Sequence, residues 1–135
     1  MTVFTNGCFD ILHRGHIELL KYCDSLVCSG CHLGGKVIVG LNSDSSVRKL
    51  KGDNRPMNSQ GDRKYVLQSL KFVDEVLIFK EDTPYELIKK VKPDIIVKGG
   101  DYKIEDVVGN DLCEVRIFDY KEGYSTTNLL PKEQA

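Results

Sequence analysis

The sequence predicts an α/β fold: a doubly wound parallel sheet of five strands with helices on both faces, in a single domain over residues 1–135. Three observations predict it. Short runs of β-branched and aromatic residues alternate with segments of helical spacing, which implies parallel strands joined by right-handed crossovers. One of those runs, KVIVGLN at residues 36–42, is almost wholly apolar, as a strand covered on both faces must be. The polar stretches NGCFD, NSD, KGGDY and KEGYSTT each follow a strand, so four separate segments converge on the rim where such sheets bind ligands.

The elements follow in order. TVFTN, residues 2–6, is a buried strand ended by Gly7. HIELLKYC, residues 16–23, sets Ile17, Leu20 and Cys23 at helical spacing, so the first unit is strand, turn, helix. After the second strand, SDSSVRKL at residues 43–50 reads as a short helix running into the polar loop KGDNRPMN. SQGDRKYVLQSL, residues 59–70, opens on Ser59 with Asp62 three residues later, an approximate capping box, and carries Val66, Leu67 and Leu70 on its apolar face. VDEVLIF (73–79) is the third strand, TPYELIKKV (83–91) a helix with Pro84 near its first turn, and PDIIVKGG (93–100) the fourth strand. EVRIFDY (114–120) is the fifth, and STTNLL (125–130) a closing helical turn. The arrangement is Rossmann-like, without internal repeat or linker.

Composition narrows the function. Lysine plus arginine nearly balance aspartate plus glutamate, for a formal net charge of -1, so there is no basic field of the kind a nucleic-acid binder displays. An anion site must be local. MTVFTNGCFD lacks a basic stretch leading into an apolar core, and no segment approaches the ~20 apolar residues that span a bilayer, so a soluble, cytoplasmic protein without membrane contact is expected. Five cysteines (Cys8, Cys23, Cys28, Cys31 and Cys113) are an odd number and read as free thiols. CSGCH, residues 28–32, has the spacing of a c-type haem attachment or half a zinc site, but the first needs export and the second needs ligands beyond nearby Cys23.

The chemistry concentrates in NGCFDILHRGH, where His13 and His16 flank Gly15 just before the first helix. Such a pair has a bland reading, as a cap or as exposed side chains. It also has a functional one. A helix N-terminus offers unpaired N–H groups and a positive dipole end, glycine admits a phosphate to the backbone, and imidazoles donate to phosphate oxygens. Phosphoryl or nucleotidyl transfer asks mainly for positioning and for neutralisation of charge on oxygens, without a covalent nucleophile. Neither a Gly-x-x-x-x-Gly-Lys-Ser/Thr loop nor a Gly-x-Gly-x-x-Gly after the first strand is present, against a P-loop kinase and a dinucleotide-dependent dehydrogenase.

NGCFDILHRGH resembles the signature of the cytidylyltransferase-like nucleotidyltransferases, whose His-x-Gly-His motif binds nucleotide phosphates and stabilises the transition state. LNSDSSVRKLKGDNRPMN, DEVLIFKEDTP, PDIIVKGGDY and EGYSTTNLL look most like the adenylyltransferase domain of the bifunctional heptose-phosphate kinase and heptose 1-phosphate adenylyltransferases of bacterial lipopolysaccharide synthesis. The resemblance runs almost end to end. It implies a Mg2+-dependent enzyme that joins ATP to a sugar 1-phosphate, D-glycero-β-D-manno-heptose 1-phosphate, giving ADP-heptose and pyrophosphate, with the metal bound through the nucleotide phosphates. No kinase half accompanies these motifs, so a stand-alone version is expected, and relatives of this kind admit a homodimer.

Residue by residue, the resemblance makes His13 and His16 the catalytic phosphate-binding histidines. Lys51, with Lys49 as second choice, would be the lysine on the transferring phosphates. It places Cys8, Phe9 and Gly15 against the nucleotide, and Gly99, Gly100 and Asp101 at its base and ribose. Ser125 and Thr126, opening a helix, would hold the outer phosphates. Asp10 and Arg63 would bind the substrate, Asp10 helping to organise the site and Arg63 matching an arginine on the following helix; Arg63 also has a bland reading as a surface helix residue, and Ser125 one as an N-cap. Two departures stand out. SLVCSGCHLGG is longer than the family's usual turn, so it is expected to be a surface insertion without catalytic duty. The arginine that glycerol-3-phosphate cytidylyltransferases carry before EGxSTT is replaced by Tyr120 or Lys121, which favours the heptose enzyme over one using CTP and glycerol 3-phosphate. A metal- or nucleotide-binding module without turnover is the alternative from a different class.

Overall fold

The computed structural model describes residues 1–28 and 35–119. Five strands, β1 (Thr2–Gly7), β2 (Lys36–Asn42), β3 (Glu75–Phe79), β4 (Ile95–Gly99) and β5 (Glu114–Phe118), form one parallel sheet in the order β3-β2-β1-β4-β5. Among the described residues the helices are α1 (Arg14–Cys28), α2 (Asp44–Lys51), α3 (Gln60–Gln68) and α4 (Tyr85–Val91), with one 3₁₀ turn at Ile104–Asp106. Because β1 leads to β2 on one side and β4 to β5 on the other, the order reverses between β1 and β4. That reversal opens a crevice at their carboxyl ends.

Parallel pairing is continuous from Thr2↔Lys36 to Gly7↔Leu41 between β1 and β2, and from Ile95↔Glu114 to Gly99↔Phe118 between β4 and β5. Two aspartates pin the register at the amino ends. Asp74 accepts from the Val37 N–H at 2.8 Å and returns its own N–H to the Val37 carbonyl at 3.0 Å. Asp94 does the same for Thr2, at 2.7 and 2.8 Å. For this reason β3 and β4 each begin two residues later than the sequence ranges suggest: each aspartate serves the neighbouring strand as a cap.

Alternation along the strands builds two apolar layers. On one face Val3, Val37, Ile95 and Val97 meet Leu19 and Cys23 of α1, while Val39, Leu41 and Val76 meet Leu20 of α1 and Leu67 of α3. On the other, Phe4, Ile38 and Ile96 meet Ile88 of α4 and Val107. Gly40 is what lets β2 lie flat against Phe4, since a Cβ there would come within 2.6 Å of the Phe4 ring. β2, whose sequence is the most nearly apolar throughout, is buried at every residue after Lys36.

Three sequence expectations change. α1 starts at Arg14, so His16 sits inside its first turn and His13 immediately before it. Val66 is 45% exposed, because α3 turns Arg63 and Leu67, four residues apart, to the sheet instead. The segment between β4 and β5, with its 3₁₀ turn, carries no helical periodicity and was not anticipated; Gly109 at φ 96° turns it over Ile96 and Ile88. STTNLL, and CSGCH beyond the Cys28 backbone that ends α1, lie outside the described residues.

Candidate active site

β1 delivers its chain to the crevice, and residues 8–13 cross from strand to helix. Phe9 makes the crossing possible by adopting φ 46° and burying its ring beside Leu20, Val39 and Leu67. The start of α1 is then closed by the two histidines themselves. His13 Nδ1 accepts from the Gly15 N–H at 3.0 Å, and His16 Nδ1 accepts from the His13 N–H at 3.3 Å. The His13 carbonyl takes the His16 and Ile17 N–H groups at 3.0 and 3.3 Å. This is a capping box built from imidazoles, the first residue bonding into the turn and the third residue of the turn bonding back.

The cap dictates protonation. A ring nitrogen that accepts carries no proton, so both rings are neutral with their N–H on Nε2. Burial lowers the affinity of His13 for a second proton, and pushes His16 down to about 4, helped by the proximity of His13 and Lys51. The rings lie 4.0 Å apart between centroids, with Phe9 5.2 Å from His16. Each imidazole is therefore a neutral hydrogen-bond donor at pH 7. The bland reading as a cap and the functional one as a donor pair describe the same geometry.

The crevice has two lobes. The smaller, about 190 Å³, is lined by Phe9, Asp10, His16 and Gly99; the larger, about 370 Å³, by Asn42, Thr83, Pro84 and Asp106. Asn6, Cys8, Lys51, Lys98 and Tyr102 line both. Lys51, the last residue of α2, lines the crevice, whereas Lys49 turns to Asp82 at 3.1 Å. Gly100, at φ 107°, swings the chain away after β4 and leaves Asp101 exposed. Gly15 is buried and its N–H is already given to His13. Burial pushes the Cys8 thiol up, against the pull of Lys51, Arg63 and Arg55. Ser125 and Thr126 lie outside the described residues.

Asp10 and Arg63 are placed differently from what a substrate contact requires. Arg63 is 2% exposed. Its Nε donates to the Asn58 carbonyl at 2.9 Å, its Nη1 to the Cys8 and Asn42 carbonyls at 2.8 Å each, and its Nη2 to Asp44 Oδ1 at 2.8 Å. One guanidinium thereby ties the ends of β1 and β2 to α2 and the polar loop. Asp10 accepts from Arg55 Nε at 2.9 Å and from the Met57 and Asn58 N–H groups at 2.7 and 2.9 Å. Burial alone would raise its carboxyl, but those N–H donors and the Arg55 charge outweigh it and hold the group below the usual range. Both side chains are consumed by the framework, which argues against the direct substrate contact expected of them.

Residues 4–130 match the Cytidylyltransferase-like family. The chain belongs to that family. It is 59% identical over 131 residues to the bifunctional protein HldE of a Nitratiruptor species, covering 96% of this chain and 27% of that protein. To HldE of Campylobacter concisus it is 55% identical, over 96% of this chain and 26% of the relative. It thus spans about a quarter of the length of the curated relatives it matches. Among solved structures, the lipopolysaccharide core biosynthesis protein of Thermoplasma volcanium superposes with a TM-score of 0.69 at 28% identity, covering 90% of this chain and 96% of that one. A macrolide-efflux protein of Streptococcus pneumoniae shares the fold, with a TM-score of 0.66 at 22% identity over 95% of this chain and 57% of that one.

In this cytidylyltransferase-like chain, one crevice residue, Lys98, and one framework residue, Arg55, escaped the sequence reading. Lys98 opens KGGDY, one of the stretches read onto the rim, but no motif singles it out, and the β1–β4 adjacency is what brings it to the crevice. Arg55 lies in a polar loop with nothing to mark its partner, Asp10, forty-five residues away. Among the described residues no group of three or more His, Cys, Asp or Glu side chains is arranged to hold a metal ion. With Asp10 committed to Arg55 and the shared wall lined by lysines, the donor set suits a metal that arrives on phosphates better than one caged by the protein.

Proposed function

We propose that this chain is a nucleotidyltransferase that joins ATP to D-glycero-β-D-manno-heptose 1-phosphate, releasing ADP-heptose and pyrophosphate. The observation that carries the reading is the imidazole cap: two neutral rings held by their Nδ1 atoms, 4.0 Å apart, of which His16 lines the smaller lobe together with Lys51. A sugar-phosphate oxygen attacks the α-phosphorus, a new P–O bond forms, and the α–β bridging bond breaks as pyrophosphate leaves with its electron pair. The attacking phosphate is already ionised, so no general base is needed and the task is charge stabilisation. The Nε2–H groups of His13 and His16 and the Lys51 ammonium serve the oxygens that gain charge. Magnesium bound through the nucleotide phosphates would screen their mutual repulsion. The backbone of Cys8 and Phe9 with Gly99 and Asp101 is assigned to the nucleotide, and Ser125 and Thr126 to its outer phosphates, while Gly15, buried and bonded to His13, closes the cap instead. Asp10 and Arg63 act as positioning residues that hold the loops in place.

Support for the sugar comes from the relatives carrying the HldE name and from the neighbour titled a lipopolysaccharide core biosynthesis protein. Work in the cytoplasm fits this role, and no helix among the described residues is long and apolar enough to cross a membrane. Incubating the protein with ATP or CTP against heptose 1-phosphate, other sugar 1-phosphates and glycerol 3-phosphate, and following pyrophosphate release, tests the assignment. Release with ATP and heptose 1-phosphate is expected. Turnover of CTP with glycerol 3-phosphate instead, or none with any pair, overturns it.

A further inference from the structure

We propose that Lys98 seats the phosphate of the acceptor sugar at the junction of the two lobes, with the sugar ring in the larger lobe. This rests on the transfer reading above. Lys98 is the fourth residue of β4, beside β1, at the point where the strand order reverses. It lines both lobes, as Lys51 does, so the wall shared by the lobes carries two cations. Its Nζ lies 5.1 Å from the centre of the Tyr102 ring, and among the described residues no carboxylate pairs with it. Burial lowers its proton affinity, only partly offset by Cys8. A desolvated ammonium whose neighbour is an aromatic face, and not an acid, is prepared for an incoming anion.

Charge distribution orients the acceptor. Asp82, already held by Lys49, Asp106 and Thr83 line the larger lobe and not the smaller one. Carboxylates repel a phosphate but accept hydrogen bonds from sugar hydroxyls. A sugar 1-phosphate therefore enters with its hydroxyls toward Asp106 and Thr83 and its phosphate toward Lys98. The smaller lobe, with His16, is left for the nucleotide's phosphates, and Lys51 faces them across the same wall. Acceptor and donor phosphates meet where the attack must occur.

The test is steady-state kinetics on Lys98→Met, which keeps length and apolar bulk, and on Lys98→Arg, which restores charge. Loss of a charged hydrogen bond of the usual strength predicts a rise of about tenfold or more in the KM for heptose 1-phosphate. The KM for ATP should stay within about twofold, and Lys98→Arg should recover most of the loss. Calorimetric titration of heptose 1-phosphate into nucleotide-free protein should show the same weakening. An unchanged sugar-phosphate KM in folded Lys98→Met, or an equal rise in both KM values, overturns this proposal and leaves the transfer reading standing. Wild-type protein that turns over no nucleotide and sugar-phosphate pair overturns both.

Discussion

Replacing Arg63 by alanine separates a framework arginine from a substrate-binding one. Its side chain is 1% exposed and donates four hydrogen bonds, to the carbonyls of Cys8, Asn42 and Asn58 and to the Asp44 carboxylate. Truncation strands an anion and three acceptors around a hole that water only partly refills. Removing one partner of a buried ion pair typically costs ~3–5 kcal/mol, and each stranded acceptor ~1–3 kcal/mol before relaxation. A net loss of about 4 kcal/mol is a large part of the ~5–15 kcal/mol that stabilises an ordinary domain. With a urea m-value of roughly 2 kcal/mol/M, the unfolding midpoint followed by circular dichroism should fall by about 2 M. Arg63→Lys keeps the charge but not the fork geometry, and should recover only part of the loss. A midpoint within about 0.5 M of wild type, combined with a rise in substrate KM, would refute the framework role and return Arg63 to the substrate.

The other outcomes follow from the same geometry. His13→Ala and His16→Ala should each lower kcat by ~10²–10³, the usual cost of one preorganised donor. Because both rings cap α1, each should also cost about 1 kcal/mol in urea unfolding, so full stability together with normal kcat would contradict the cap-and-donor reading. His16 contributes a pH dependence whose sign is set by its depressed folded value of about 4 against 6.5 when unfolded. Between those values the unfolded chain binds a proton the folded one does not, so stability is full above pH 6.5 and falls as pH drops toward 4, by on the order of 3 kcal/mol. His16→Asn should flatten that part of the urea-midpoint profile, and an unchanged slope would count against it. Lys51→Ala should reduce kcat/KM for the nucleotide reaction while direct binding of the sugar phosphate changes less; Lys49→Ala, at an exposed pair, should be close to neutral in both. Equal effects of the two lysine changes on kcat/KM would remove Lys51 from the site.

The apolar runs of β2 and β4, the β-branched and aromatic run of β1, the Ser59 cap and the strand-then-polar-stretch pattern are local properties, and local spacing was enough to place every described strand and α-helix and the edge of the sheet that carries the crevice. His13 and His16 were legible for the same reason: three residues apart, they meet through one turn of helix. What the histidines offer was not legible, because the tautomer depends on which nitrogen the folded turn occupies. Arg63 and Asp10 were read toward substrate, yet their partners lie far off in sequence, 55 residues from Arg63 to Cys8 and 48 from Asp10 to Asn58. Nothing in the sequence near either residue reports such a pairing. Lys98 likewise becomes a crevice cation only when β4 docks beside β1. The sequence by itself determined the α/β order and the residue types brought to the rim; tertiary packing decided which charges turn inward to hold the loops and which remain to meet a ligand. A buried charge must find its partner wherever the fold brings one.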